Sequence, residues 1–510
     1  MFADPASRRV LDTWLPRFVT GALIVFAVSR ALAALGSVNI NDDMYVASAS
    51  LFSRFGLYSE IAYVQTPLSI YVYAALNFLF GPPHLFLAAR LLSILLVFGA
   101  AGLAAATAFR LFPRVYVFQT AFALLLFNPH IYSNMKEIGS YALPLFFLAA
   151  ACYLHIGRKQ TNLSSLLIGL LIGLATASKL NFLTFGAAFA LLYLLEAPTR
   201  RLILPYATGV VIGLLPVAYY LLRDPQLFLF LNVQFHLITN THRKLSAFDQ
   251  LASVLKGSGA FVFYALPLFT LAATTIVLAG RQTIRQSDRS LKAPILFAAA
   301  VFAAAQPMVY FIQYWNAAAL VLILFAVPFA ASIADKNLAF KPVVLCSLSF
   351  LLVATILIDS RFVVKQLNKH RYAPILVARA YADLEKPVAA ALAAHPGCVT
   401  EILSASGVPA IGAGLPLSPG SAAGSFMFRV DENLRRANSP YRKFSDVGNY
   451  MTPHTALLTG LYKGSAKGGD YEERMEAYAA ANDFVLAGPF KYEKSNLLLF
   501  LPARCRVSAD

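Results

Sequence analysis

The sequence predicts an all-α polytopic membrane protein of about eleven transmembrane helices, with juxtamembrane helices and a C-terminal α/β extracytoplasmic domain. Of the 510 residues, 58% are hydrophobic and 13% are charged, and the mean hydropathy is +0.64. This composition is too apolar for a soluble domain. Apolar runs long enough to cross a bilayer recur between Phe18 and Ile358. Beyond Ile358 the chain becomes polar, which predicts a separate domain.

The predicted spans are apolar segments joined by short polar loops. In order they are 18–36, 85–109, 115–129, 139–156, 163–179, 182–196, 202–222, 257–280, 293–312, 317–334 and 342–358. Segment 67–80 is apolar too, but its 14 residues are a length typical of re-entrant or interfacial segments. The first span lacks a cleavage site and is expected to remain as a signal-anchor.

The distribution of Lys and Arg predicts the orientation. If 67–80 does not cross and the N-terminus is cytoplasmic, the inside loops carry fifteen basic residues and the outside loops seven. If 67–80 crossed, the strongly basic loop 280–292 would lie outside. The positive-inside rule therefore favours the first arrangement, with 67–80 along the outer surface and the tail outside. We expect a multi-pass protein of the bacterial inner membrane with a periplasmic C-terminal domain. The net charge of +17 is explained by these loops rather than by nucleic-acid binding.

Two domains are predicted, a transmembrane domain over 1–358 and an α/β domain over 359–510. Helical stretches at 374–394 and 471–482 alternate with strand-like apolar runs, separated by loops rich in Gly, Pro and Ser. The predicted strands are 399–403, 484–486 and 497–501. Cys398 and Cys505 lie in this tail and could form a disulfide if the tail is outside the cytoplasm.

The outer loop 37–84 carries two adjacent acids, Asp42 and Asp43, in a chain where charge is scarce. One explanation is structural, because Asn41 or Asp42 could cap the helical run that follows. The other is chemical, because an ionised carboxylate at the membrane surface often marks a functional site. Such an acid could take a proton from an acceptor hydroxyl, and its neighbour could tune its basicity.

Several short motifs here resemble the polyprenyl-phosphate-dependent glycosyltransferases of the GT-C fold. That superfamily includes protein O-mannosyltransferases and the aminoarabinose transferases of lipid A. Its members have an acidic pair in the first outer loop, a Pro-Pro-Leu element opening a juxtamembrane helix, and an Arg-Leu opening the second span. Asp42-Asp43, Thr66-Pro67-Leu68 and Arg90-Leu91 match these elements, and the resemblance covers residues 30–180. One departure is Tyr141, which stands where these transferases often have an Asp.

The resemblance implies a reaction and roles for particular residues. A sugar on a polyprenyl phosphate would pass, with inversion, to an acceptor hydroxyl on the extracytoplasmic face. Asp42 would be the general base and Asp43 would orient it or bind the acceptor, although the two could be exchanged. The residues expected to bind acceptor or sugar are Tyr45, Glu60, Tyr63, Gln65, Lys136 and Glu137. The residues expected to bind the donor phosphate are Lys179, His242, Arg243 and Lys244.

Simpler explanations exist for the charged members of this set. Lys136 and Glu137 could be a solvated loop pair, which contributes little to stability. Lys179 could be a snorkelling residue at a helix end. The basic cluster 242–244 could contact lipid headgroups.

No metal site is predicted, because the His residues of the long outer loop have no carboxylate or Cys at a ligand spacing. A divalent metal is possible but not required, since a phosphate is already a good leaving group. The expected partners are a polyprenyl-phosphate-linked sugar, membrane lipid, and an envelope glycan, lipid or protein acceptor. A transporter or flippase of lipid-linked sugars is the alternative, although it should carry ionisable residues at mid-membrane and often an internal repeat. A scaffolding protein is a further alternative, in which Asp42 is only a cap.

Overall fold

The computed structural model describes most of the apolar region and most of the tail. The described residues are 5–35, 40–242, 292–306, 312–336, 388–412, 416–422, 424–460, 469–492 and 495–505, with isolated positions at 252–262 and 386. The predicted span 257–280 is described only at isolated positions up to 262, and the predicted span 342–358 lies outside these residues. So does the predicted domain boundary after residue 358.

Where the structure describes it, the apolar region is helical. Its helices are α1 (Pro5–Leu35), α2 (Ile40–Leu51), α3 (Leu68–Phe80), α4 (Pro82–Leu111), α5 (Val115–Phe127), α6 (Pro129–Tyr132), α7 (Ala142–His155), α8 (Asn162–Ser178), α9 (Leu183–Leu195), α10 (Ile203–Gly213), α11 (Leu215–Arg223), α12 (Pro225–Leu229), α13 (Phe235–His242), α14 (Lys292–Ala305) and α15 (Asn316–Lys336). Local sequence explains several boundaries. Gly81 has a positive φ of 77°, which favours glycine, and Pro82 and Pro83 follow it at the first turn of α4. Thr161 and Ser164 form a reciprocal capping box at the start of α8.

The two ends of the long helix α4 define two opposite ends of the bundle, and each makes its own polar contacts. At one end, which we call the Asp42 end, Arg90 near the start of α4 pairs with Asp42. At the other, which we call the Arg110 end, Arg110 near the end of α4 donates to the carbonyl of Tyr153 at 2.6 Å. Among the described residues, Ile138 of a predicted outside loop contacts Asp42 at the first end, and Arg114 of a predicted inside loop pairs with Asp335 near the second. The orientation of the two ends relative to a membrane stays a prediction.

Helix α3, the ambiguous segment 67–80, stays at the Asp42 end. The hydroxyl of Tyr73 donates to the carbonyl of Gly139 at 2.9 Å, and that of Tyr71 to the hydroxyl of Tyr220 at 3.1 Å. After α3 the chain turns at Gly81 into α4, whose first turns lie at the same end. The side chains of Phe78, Leu79 and Phe80 are largely exposed at the tip of α3. An apolar helix with an exposed apolar tip fits a juxtamembrane position.

The prediction of about eleven spans is not confirmed. Within the described residues, three helical segments are long and apolar enough to cross a membrane, namely Pro16–Leu35, Pro82–Leu111 and Gln313–Ser332. A fourth is possible if α10 and α11 count as one span bent by 58°. The sequence predicted a single helix over 202–222, but Pro216 lacks the N–H that would continue the hydrogen-bond ladder. Other predicted spans are helices of 13 to 17 residues, which are shorter than about 20 residues.

Helices α8 and α10 cross at close range. Gly169 and Gly173 on α8 face Gly209 and Gly213 on α10, and a Cβ at any of the four would collide with the backbone of the other helix. Paired small residues four apart allow such an approach between membrane helices. This crossing fixes the end of α8, where Lys179 lies.

The tail contains a four-stranded sheet with short helices, as predicted. The strands are β1 (Glu401–Ser404), β2 (Thr455–Thr459), β3 (Val485–Tyr492) and β4 (Ser495–Leu501), and the helices are α16 (Gly407–Gly412), α17 (Gly424–Met427), α18 (Asp431–Arg436) and α19 (Gly469–Ala481). The order is β1-β2-β4-β3, with β1 parallel to β2 and the other pairs antiparallel. The three predicted strands and the helix at 471–482 are confirmed. The prediction missed β2, and only the end of 374–394 lies within the described residues, where it is helical.

The tail packs directly on the first outer loop. Ile402 of β1 and Leu417 belong to the same buried cluster as Met44 and Ala47 of α2. A second contact is a stacked ring pair, Phe230 with Tyr441, with centroids 4.0 Å apart. Apolar burial of this kind holds the sheet against α2.

A disulfide joins Cys398 and Cys505, as the sequence allowed, with a Cα–Cα distance of 5.7 Å. It links the segment before β1 to the last described turn, 107 residues later. A disulfide that closes a long loop removes more conformational entropy from the unfolded chain than one that closes a short loop. This bond should therefore stabilise the tail.

We predict that the double change Cys398→Ser and Cys505→Ser lowers the free energy of unfolding by about 2–5 kcal/mol. Thermal unfolding in detergent, with and without reductant, checks this. Cys152, a buried free cysteine of the described chain, offers a control, since Cys152→Ala should leave the reductant effect intact. Equal melting of the double variant and the wild type would contradict the prediction.

Candidate active site

The two acids lie in the first turn of α2, not at its cap. The helix begins at Ile40, so Asp42 and Asp43 are both helical. Carboxylates in a first helical turn are favoured by the helix dipole. Both side chains are buried, at 0% and 3% exposure. A buried carboxylate requires partners, and those of the two acids differ.

Asp42 is held by the transmembrane bundle. Its Oδ2 atom accepts a hydrogen bond from Arg90 Nη2 at 2.5 Å, and both side chains are fully buried. Its Oδ1 atom accepts from the backbone N–H of Ile138 at 2.5 Å. Arg90 also donates to the carbonyl of Met135 at 3.4 Å. This ion pair ties together α2, α4 and the loop between α6 and α7.

Asp43 is held by the tail. Its Oδ1 atom accepts a hydrogen bond of 2.8 Å from the hydroxyl of Ser406, which follows β1 and is itself buried. The acids of one pair are therefore bound by two different parts of the chain. Asp43 therefore contacts the C-terminal domain.

Two tyrosines pack against Tyr45, which lies in the first turns of α2. Tyr45 makes edge contacts with Tyr63 and Tyr73, with ring centroids 5.9 and 6.0 Å apart. Tyr45 and Tyr63, both predicted to bind acceptor or sugar, are thus brought together beside the acids. The hydroxyl of Tyr63 is buried and has no hydrogen-bond partner within the described structure. A buried hydroxyl of this kind is available to a ligand hydroxyl.

Lys179 lies at the same end of the bundle, as predicted. It follows the last residue of α8, and its Nζ atom donates to Gln65 Oε1 at 2.5 Å. The ammonium also lies over the ring of Tyr141, 4.8 Å from the centroid. Gln65, another predicted residue, belongs to the loop that leads into α3. The cation is therefore fixed by an amide and a ring, an arrangement that keeps a charge in place for a ligand.

His236 on α13 also supports the loop that contains Gln65. His236 Nε2 makes a 2.9 Å hydrogen bond with the carbonyl of Val64. Burial, and secondarily the nearby charge of Lys179, lowers the pKa of His236 to about 4. The imidazole is therefore neutral at physiological pH and acts as a support rather than a charge.

Lys136 and Glu137 also lie at this end, between α6 and α7. The ammonium of Lys136 lies over the ring of Tyr132, 4.1 Å from its centroid. Burial, and then the neighbouring charge of Arg30, lowers the pKa of Lys136 to about 7. Glu137 is half-buried and interacts electrostatically with Lys179. The side chains are partly buried, so the solvated-pair explanation does not describe them.

Other predicted residues are placed elsewhere or lie beyond the described structure. Glu60 is exposed, and its carboxylate accepts a 2.7 Å hydrogen bond from the backbone N–H of Gly56. Its role in the structure is to close this turn. His242 ends α13, but its side chain lies outside the described residues. Arg243 and Lys244 lie outside them altogether.

The described part of the chain contains no group of three or more His, Cys, Asp or Glu side chains placed to hold a metal ion. The sequence did not predict that Arg90 and Ser406 bind the two acids. Arg90 was noted only as a motif match, although its position next to a predicted outer loop suggested a partner there. Ser406 had no sequence signal, because it is 363 residues from Asp43.

The helical bundle, the juxtamembrane helix and the small α/β tail together have the GT-C fold that the sequence resemblance implied. The chain is similar to two crystal structures of ArnT from Cupriavidus metallidurans. The structure bound to undecaprenyl phosphate matches with a TM-score of 0.58 and 14% identity, over 95% of this chain and 98% of the other. The apo structure matches with a TM-score of 0.55 and 14% identity, over 97% and 99%. Neither a protein-family model nor a curated protein sequence matches the chain.

Proposed function

We propose that this chain is a membrane glycosyltransferase that moves a sugar from a polyprenyl phosphate to an acceptor hydroxyl on the extracytoplasmic face. The observation that carries the proposal is the placement of a buried acid pair and a fixed Lys at one end of a bundle with this fold. The fold itself is shared with a protein whose structure holds undecaprenyl phosphate. A phosphate lipid and a proton-accepting acid are the two requirements of such a transfer.

Of the two acids, Asp43 is the better candidate for the general base. Arg90 and the N–H of Ile138 bind both oxygens of Asp42. A proton on Asp42 would disrupt a fully buried ion pair, which is costly. The sequence favoured Asp42 and allowed the two to exchange, and the geometry supports the exchange. Asp42 then anchors the first turn of α2 and so positions Asp43.

The proposed reaction needs only two substrates, the polyprenyl-phosphate sugar and the acceptor. The acceptor oxygen forms a bond to the anomeric carbon of the sugar as its proton passes to Asp43. The bond between that carbon and the phosphate oxygen breaks on the opposite side, so the configuration inverts. The electron pair leaves with the polyprenyl phosphate, and Lys179 stabilises the added negative charge. Tyr45, which closely follows the acid pair in α2, Tyr63, which contacts Tyr45, and Glu137, which interacts with Lys179, would orient the sugar or the acceptor.

The orientation of the chain in its membrane belongs to this proposal. The disulfide of the tail supports an oxidising compartment, such as the periplasm. Large exposed apolar side chains on α1 and α11, including Phe18 and Leu222, support contact with lipid. With the tail outside, the Asp42 end faces the periplasm and the Arg110 end faces the cytoplasm. The acceptor is then a component of the cell envelope.

We predict that Lys179→Met lowers kcat/KM for the donor by about 10- to 100-fold, because a charge-assisted bond contributes roughly 1.5–3 kcal/mol. Lys179→Arg keeps the charge and should lose less. Steady-state kinetics at varied donor concentration measures both. Wild-type values for Lys179→Met would exclude Lys179 from phosphate binding.

The proposal is tested with membranes that contain the chain and a panel of radiolabelled polyprenyl-phosphate sugars. Fractions of envelope lipid, glycan and protein serve as acceptors. Label in a glycosidic bond to one fraction, absent from membranes without the chain, is the expected result. Movement of labelled lipid across the bilayer without bond formation would instead indicate a flippase.

A further inference from the structure

The tail contributes a side chain to the acid pair. Ser406 Oγ donates to Asp43 Oδ1 at 2.8 Å, and the side chains of both residues are buried. Within the described residues, the contact joins the C-terminal sheet domain to the first outer loop through polar atoms. We infer that Ser406 is a positioning residue, which fixes the Asp43 carboxylate for the reaction. The inference rests on the proposed function.

Ser406 is itself fixed by the sheet. Its backbone N–H donates to Ser404 Oγ at 3.2 Å, and that hydroxyl donates to the carbonyl of Leu458 at 3.1 Å. The N–H of Ser404 donates to Ser421 Oγ at 3.0 Å. These bonds connect Asp43 through Ser406 to strands β1 and β2. Such a network limits the orientations that the serine hydroxyl can adopt.

The close approach depends on a glycine next to Ser406. A Cβ at Gly407 would lie 2.8 Å from the Cβ of Ala47 on α2 and 3.0 Å from Leu417. Any side chain at this position would push the turn away from α2. Gly407 therefore lets the hydroxyl of Ser406 reach Asp43.

A serine that donates to a carboxylate stabilises its ionised form. It also holds the carboxylate in one rotamer, so that the second oxygen keeps a fixed direction. Positioning of a general base affects the chemical step more than donor binding. Loss of the Ser406 hydroxyl should therefore lower kcat and leave the KM for the donor unchanged.

The test compares Ser406→Ala with a matched control from the same domain. Ser445 also donates to a buried aspartate, from its Oγ to Asp431 Oδ1 at 2.6 Å, within the tail itself. Both changes remove one buried Ser–Asp hydrogen bond, and only the first involves the acid pair. Ser406→Thr keeps a hydroxyl and serves as the rescue variant. All are assayed as full-length protein in proteoliposomes, with activity expressed per folded molecule.

We expect Ser406→Ala to lower kcat about tenfold, with Ser406→Thr recovering most of it and Ser445→Ala at the wild-type value. The acidic limb of the kcat–pH profile should move to higher pH in Ser406→Ala, because the ionised carboxylate has lost a donor. In an Asp43→Asn background the same change should have little further effect.

If Ser406→Ala does not fold, Gly407→Ala serves as the test instead. This change keeps the Ser406 hydroxyl but displaces it from Asp43, so it should lower kcat in the same way. A wild type that transfers sugar, with Ser406→Ala or Gly407→Ala matching Ser445→Ala, overturns the positioning role alone. A wild type that transfers no sugar overturns the proposed function, and the positioning role with it.

Discussion

Replacing Asp43 by Asn should lower kcat for sugar transfer by about 100- to 10,000-fold, the usual contribution of a general base. Asn has nearly the same shape, and its amide oxygen can still accept the hydrogen bond from Ser406. The fold should therefore be preserved while the ability to accept a proton is lost. Single-turnover assays with saturating donor measure the effect on the chemical step directly.

The matched control is Asp431→Asn. Asp431 is a buried aspartate of the tail that pairs with Arg435 at 2.5 Å and with Arg474 at 3.3 Å. Its loss should reduce the stability of the tail and leave kcat per folded molecule unchanged. Retention of more than about a tenth of wild-type kcat in Asp43→Asn would exclude Asp43 as the base.

Replacing Arg90 by Met should lower the free energy of unfolding by about 3–5 kcal/mol, the usual cost of leaving a buried charge without its partner. The change removes the cation from fully buried Asp42 and a donor from the carbonyl of Met135. Thermal unfolding of the purified protein, followed by size-exclusion chromatography, measures the loss.

Two further variants isolate the cause. The double change Arg90→Met and Asp42→Asn leaves no buried charge, so it should be more stable than Arg90→Met alone. Arg110→Met, at the opposite end of the bundle, removes a half-buried Arg that donates to a carbonyl, and should have a smaller effect. If Arg90→Met melts like the wild type, the ion pair does not hold α2 in place.

Much of the architecture was predictable because it follows from apolar length and from charge. The short segment 67–80 and the basic loops were enough to place α3 and Lys179 at the same end as Asp42. Short apolar runs between loops rich in Gly, Pro and Ser predicted three of the four strands. The number of spans was harder to predict from hydropathy. Several apolar helices are too short to cross a bilayer, and the helix predicted over 202–222 bends before Pro216.

The pairing inside the site was not predictable from one sequence. The motif placed Asp42 and Asp43 together but could not show which of them Arg90 binds. That choice depends on how α2 is rotated against α4. Ser406 joins the site through tertiary packing of the tail, which leaves no local pattern. Glu60 was predicted to bind acceptor or sugar because it is an acid in the same loop; its carboxylate accepts a hydrogen bond from Gly56, and its binding role stays a prediction.

The most direct test of the account is a balance of products from the purified protein in liposomes, with a labelled polyprenyl-phosphate sugar and the active acceptor fraction. We expect free polyprenyl phosphate and acceptor-bound sugar to appear in equal amounts, with inverted anomeric configuration, and both to be lost in Asp43→Asn. Release of polyprenyl phosphate without a new glycosidic bond, or unchanged transfer in Asp43→Asn, would contradict it.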